Sequence, residues 1–187
     1  MQTPLNAVRE LQGAGRQQGF TLIVALIVLM VITLTAMSAV RSVTLEERMI
    51  ANDRDRGLAF QAAEAAVRDG IAWLEAQGGP IVASGDGDLG VWTLGSVALD
   101  ELYTPAFWVD TENLHDYPLS PALNVVAGVA EQPRFLVEEL AFAPDDNDPA
   151  TIAARRGFFF YRITARGLGG TETARSLVQA FHRIRYF

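Results

Sequence analysis

The chain has 187 residues, half of them apolar and a fifth charged, which excludes disorder throughout and suits one domain with an appendage. It carries fifteen arginines and no lysine against 22 acids, and the resulting net charge of −7 argues against nucleic acid as a partner for the whole protein. With no cysteine, disulfide scaffolds, thiolate zinc sites and cysteine nucleophiles are excluded.

The first predicted element is the run Phe20 to Val40, which contains no charge, proline or glycine. As a helix, its 21 residues would span about 31 Å, close to the ~30 Å hydrocarbon core of a bilayer. A core helix of a soluble protein would be shorter and would keep a polar stripe. Arg9 and Arg16 precede the run with only Glu10 against them, whereas Arg41, Glu46, Glu47 and Arg48 after it cancel. That bias puts the N-terminus in the cytoplasm and the bulk of the chain across the membrane, with inner-membrane lipid as a partner. A cleaved secretory signal would have a shorter apolar region ending in an A-x-A-like site. Here Ala36-Met37-Ser38 runs on into Ala39-Val40-Arg41 instead.

The residues leading into the run are Arg16-Gln17-Gln18-Gly19-Phe20-Thr21-Leu22-Ile23. A short basic, polar leader ending in glycine, with phenylalanine opening the apolar helix, resembles the class III signal of type IV prepilins. The resemblance implies that a prepilin peptidase cuts between Gly19 and Phe20 on the cytoplasmic side and that Phe20 is then N-methylated. Such a cut leaves the helix on the mature chain, first as an anchor and later as an assembly element. Counted from Phe20, the fifth residue is Val24. Major pilins carry glutamate there, pairing with the N-terminal amine of the subunit ahead. A carboxylate inside a bilayer is expensive and stays only where it is used. Its absence implies, by the resemblance, a place at the filament tip with no subunit in front; the alternative is neutral drift in a low-copy component.

The helical pattern continues past Arg41. Leu45, Met49, Phe60, Ala63, Val67, Ile71 and Leu74 recur at helical spacing, and no proline occurs between Phe20 and Gly79. One helix of about 58 residues and about 87 Å is therefore allowed, with Gly57 and Gly70 as weak points of ~1 kcal/mol each and Gly78-Gly79-Pro80 as the stop. Within it, Thr44-Leu45-Glu46-Glu47-Arg48-Met49, Arg54-Asp55-Arg56 and Leu58-Ala59-Phe60-Gln61-Ala62-Ala63-Glu64-Ala65-Ala66-Val67-Arg68 are similar to the N-terminal signature of PilX-type minor pilins. The alanine run permits close packing of backbone on backbone against a sheet or a second helix. Two readings stand for Glu46, Glu47, Arg48, Asp53, Arg54, Asp55 and Arg56. They form a solvated face with i,i+4 pairs, or they match charges between subunits in an assembled tip.

From Gly78 on, short apolar runs alternate with turn residues: Val91 to Leu94, Ala106 to Val109, Leu123 to Val126, Phe135 to Leu140, Phe158 to Ala165 and Ser176 to Ile184. Phe160, Arg162, Thr164 and Arg166 alternate with Tyr161, Ile163 and Ala165, which predicts a half-buried strand. Gly167-Leu168-Gly169-Gly170-Thr171 supplies the turn into a second strand through Leu177, Gln179, Phe181 and Arg183. This hairpin and Arg134-Phe135-Leu136-Val137-Glu138-Glu139-Leu140 are similar to the C-terminal half of the PilX family, whereas residues 78–130 carry little likeness.

Enzymatic chemistry has little support. His115 and His182 are the two histidines, far apart in the sequence. Asp86-Gly87-Asp88 and Asp145-Asp146-Asn147-Asp148 invite a calcium reading but lack EF-hand spacing, so solvated loops are expected and no metal or cofactor is assigned. Residues 78–154 hold thirteen acids and one arginine, net −12, and residues 155–187 hold seven arginines and one acid, net +6. Either neighbouring strands neutralise each other within the head, or one patch faces a partner.

The expected architecture is α+β: a pilin fold with a long transmembrane and amphipathic helix packed on an antiparallel β-sheet head. Its expected parts are a leader 1–19, a transmembrane helix 20–40, a periplasmic stem 41–77 and a head 78–187. The resemblance implies a non-catalytic minor pilin that primes type IV pilus assembly with other minor pilins, the major pilin and a pilus-tip adhesin. A type II secretion tip pseudopilin shares leader and stem but carries a large helical insertion, which the texture after Gly79 does not favour. A signal-anchored periplasmic enzyme or binding protein would keep its first 19 residues.

Overall fold

The computed structural model describes residues 18–117, 119 and 125–186, so most of the expected leader and part of the Leu123–Val126 run lie outside the described residues. The first regular element is α1, Gln18–Glu75, a single helix of 58 residues. The chain divides at residues 50 and 51 into two compact units.

In the first unit every described side chain from Phe20 to Ile50 is exposed, although Phe20 to Val40 carries no charge. Several of its hydroxyls donate to carbonyls one turn back. Thr33 donates to the carbonyls of Leu29 and Met30 at 3.0 and 2.8 Å, and Thr35 donates to those of Val31 and Ile32 at 3.0 and 2.8 Å. Ser38 donates to the Leu34 carbonyl at 3.1 Å. Back-bonding of this kind lets a hydroxyl enter an apolar medium without an unmet donor.

The second unit contains the rest of α1 and the head. The strands are β1 (Trp92–Thr93), β2 (His115–Asp116), β3 (Arg134–Pro144), β4 (Gly157–Leu168) and β5 (Arg175–Tyr186). Short helices α2 (Pro105–Asp110) and α3 (Pro149–Ala153) lie between them. The sheet runs β1-β3-β4-β5, with β2 also pairing with β3. All pairings are antiparallel except β1 with β3, where Trp92 stands beside Glu138 in parallel register. Arg162 lies opposite Glu138 on β3 and opposite Phe181 on β5.

Two apolar clusters cover the two faces of this sheet. One joins Ala66, Val67 and Leu74 of α1 to Phe135, Val137, Phe159, Tyr161, Ile163 and Ala165. The other gathers Trp92, Val97, Leu102, Trp108 and Leu114 on Leu136. The alternation expected for the C-terminal hairpin is therefore present: Tyr161, Ile163 and Ala165 are buried at 0% exposure, while Phe160 is 37% exposed.

Two expectations are corrected. Ala106–Val109, read with the strand-like runs, lies inside α2. Pro105 sits in its first turn, where the ring presets φ and the missing N–H costs nothing, and Trp108 is buried with its indole donating to the Leu102 carbonyl at 2.8 Å. Phe60, placed by spacing on the apolar stripe, is 47% exposed, and Ala59 is buried instead. The reason is clearance: a Cβ on Gly167 would lie 2.3 Å from the Ala59 carbonyl oxygen and 2.5 Å from the Ala63 nitrogen. Backbones this close admit alanine and exclude phenylalanine.

Candidate assembly interface on the stem helix

The candidate residues fall into two groups along α1. At its start, Gly19 and Phe20 are helical and Phe20 is 74% exposed. One turn on, Val24 is 41% exposed, flanked by the exposed Leu22, Ile23 and Leu26. From Phe20 to Ile32 Thr21 is the one polar residue, so a partner meeting this stretch meets mainly aliphatic side chains.

The charged group divides in two. Glu46, Glu47, Arg48, Arg54 and Arg56 are exposed, and among the described residues they form no ion pair with each other. The i,i+4 pairing anticipated for this face is seen elsewhere on α1, between Glu64 and Arg68 at 3.9 Å. Asp55 is different. Its carboxylate accepts from the Gly170 backbone N–H and, at 2.5 Å, from the Thr171 hydroxyl. That hydroxyl bond, with the backbone donors, holds the Asp55 carboxyl below the usual carboxylate range. Asp55 thus fastens the β4–β5 turn to α1.

The glycines of this turn work with Asp55. A Cβ on Gly169 would fall 2.3 Å from Asp55 Oδ1, so a side chain there would expel the carboxylate. Gly70 has the same function further along: its Cβ would meet Phe135 and Ile163 side chains at 2.8 and 3.0 Å. By helix propensity alone Gly70 is a weak point of α1. Only the packing shows why a larger residue is excluded. Asp69, also unnoticed in the sequence, is 7% exposed and accepts from the Leu119 N–H at 2.8 Å.

Several ion pairs join the acidic middle to the arginine-rich hairpin inside the head. Arg162 grips the buried Glu138 with two bonds of 2.8 Å, which raise the already high guanidinium pKa. Arg155 meets Glu139 at 2.6 Å and also lies 4.9 Å from the Phe159 ring centre. Arg185 holds Asp145 at 3.0 and 3.2 Å. Asp148 caps α3 by accepting from the Ala150 N–H, and the Asn113 amide donates to the Asp86 carbonyl. The two aspartate loops are therefore committed to structure. Among the described residues, no group of three or more histidine and carboxylate side chains could hold a metal.

Residues 18–68 match the family model PilX N-terminal, and residues 68–184 match that of the Type IV pilus assembly protein PilX C-term. The chain belongs to the PilX family. The second match extends through 78–130, the part whose likeness is least visible by eye. No curated protein and no solved structure matches the chain. A PilX-family member is a type IV pilus assembly minor pilin, a structural component rather than a member of a known enzyme family, and this one carries a helix long and apolar enough to cross a membrane.

Proposed function

We propose that this minor pilin is made with a leader, residues 1–19, which prepilin peptidase removes between Gly19 and Phe20, and that Phe20 is then N-methylated. Residues 20–40 anchor the subunit in the inner membrane with the N-terminus in the cytoplasm, residues 41–77 form the periplasmic stem, and residues 78–187 form the head. From there it joins other minor pilins, with the major pilin and a pilus-tip adhesin, in a complex that primes filament assembly and stays at the tip.

The observation that carries this reading is the junction of a basic leader, Gly19 and Phe20 with an apolar helix, in a chain of the PilX family. Tip placement is supported by Val24, which has no carboxylate to pair with the N-terminal amine of a subunit ahead. A preformed tip complex presents ready-made helix surfaces, so the first extracted subunits avoid the least favourable association step. Glu46, Glu47, Arg48, Arg54 and Arg56, exposed and not paired with each other, would supply charge matching between neighbouring stems, whereas Asp55 is already engaged.

Mass spectrometry of the purified protein tests the first step. A mature chain starting at methylated Phe20 is expected, and a chain starting at Met1 overturns the reading. Immunogold labelling of sheared filaments tests the second. Label at one end supports the tip, and label spread along the shaft rejects it.

A further inference from the structure

On the sheet face turned away from α1, a cavity of about 210 Å³ opens where the Glu101–Tyr103 turn and α2 meet β4 and β5. Leu102, Pro105, Trp108 and Leu177 make its walls mainly apolar, and Arg166 and Arg175 also line it. The other arginines of the hairpin strands are occupied: Arg162 by Glu138, Arg185 by Asp145, and Arg183 by the Phe158 ring at 4.9 Å. Arg166 is not comparably satisfied. Its side chain is 12% exposed, yet its acceptors, Glu131 and the Pro105 carbonyl, both stand at 3.5 Å. Burial disfavours its cation, and the charges of Arg175 and Arg134 oppose what Glu131 offers it. Arg175 forms no ion pair among the described residues. Two cations beside an apolar cavity, with only the long Glu131 contact between them, can take a further carboxylate that sits next to an apolar group.

We propose that this cavity is an anchor site for another subunit of the pilus assembly: an apolar side chain of that subunit fills the cavity, and an adjacent carboxylate meets Arg166 and Arg175. This rests on the reading of the chain as a subunit seated among other pilins. A bare phosphate would satisfy the arginines but leave the walls unfilled. A polypeptide occupant is favoured because two more exposed apolar side chains stand further along the same sheet face, beyond the polar Gln179–Thr164 pair. Phe181, 72% exposed, and Phe160, 37% exposed, lie on the same sheet face as Leu177. Phe181 is four residues along β5 from Leu177, about 13 Å, further than one small ligand reaches.

The site's chemistry is tested by NMR on the full chain in detergent micelles, titrated with 3-phenylpropionate, 3-phenylpropanol or inorganic phosphate. The Trp108 indole N–H is the reporter, and Arg175→Glu, at an exposed position, is the variant. Saturable shifts with 3-phenylpropionate are expected, about tenfold weaker with the alcohol and with Arg175→Glu. Equal response to the alcohol, to phosphate or by the variant overturns the proposal. The occupant is tested in piliated cells with a photo-crosslinking residue at Tyr103, which lines the cavity mouth, and a control at Glu47 on the stem. A Tyr103 cross-link to another pilin subunit, lost with Arg175→Glu, is the expected result. Cross-linking to pilins from Glu47 but not from Tyr103 overturns the anchor site and leaves the subunit reading intact. Cross-linking to pilins from neither position sinks the subunit reading itself.

Discussion

The two parts of α1 are both rich in apolar residues, yet they meet their surroundings in opposite ways. From Phe20 to Val40 bulky aliphatic side chains point in every direction and all are exposed. From Ala51 to Glu75 one stripe is buried completely, and it is made of the small residues Ala59, Ala62, Ala63 and Ala66 with Leu74 at its end. The first surface is suited to lipid or neighbouring helices, where bulk costs nothing and shape is not prescribed. The second is shaped by one partner, its own sheet, and there volume decides everything. A single helix thus carries a general apolar surface and a specific one, and apolar content alone does not tell them apart.

Four experiments would break or sharpen that contrast. The three tryptophans, Trp73, Trp92 and Trp108, all belong to the second unit, so their fluorescence follows unfolding of the head. Gly167→Val should be the most damaging change. Valine suits a strand locally, but its Cβ would collide with the α1 backbone, and a loss of about 3 kcal/mol or more is expected in denaturant titrations. A loss below about 1 kcal/mol would show that the helix and sheet are not tightly docked there.

Arg162→Met comes next, at about 3 kcal/mol, because it leaves the Glu138 carboxylate buried and unpaired. Adding Glu138→Leu should return most of that loss, since removing both charges is far less costly than removing one. Failure of the double variant to recover would locate the role of the pair in packing instead of charge.

Leu29→Arg addresses the other surface. It should disfavour membrane insertion by roughly 2.5 kcal/mol while changing head unfolding by less than about 0.5 kcal/mol. Fractionation of cells against tryptophan unfolding of the purified protein separates the two effects, and a damaged head would contradict the division.

The smallest effect should come from acid. His115 lies between Trp73 and Phe135, at ring-centre distances of 4.4 and 4.9 Å, with Nε2 at 2.8 Å from the Gly90 carbonyl. Burial lowers its pKa below 6.5, so the folded head holds it neutral while the unfolded chain protonates first. Stability should therefore fall as pH drops below 6.5, and His115→Gln should flatten that slope. An unchanged slope in the variant would assign the acid sensitivity to the carboxylates.

Much of this protein is written locally. The start and stop of α1 follow from an unbroken run without proline and from Gly78-Gly79-Pro80, and the β4–β5 hairpin follows from period-two alternation about a glycine turn. These signals lie within a few residues of what they specify. The sequence therefore determined the apolar helix, its continuation into a stem, the hairpin and the likeness to PilX minor pilins. Only the tertiary structure decided which side of the stem is buried, why Gly70 and Gly167 admit no side chain, and that Ala106–Val109 folds as a helix. It also decided which arginines of the hairpin are paired and which are left at the cavity. Those outcomes depend on clearances of a few ångströms between residues far apart in the chain, as with Asp55 and Gly170, and no periodicity in the sequence encodes such distances.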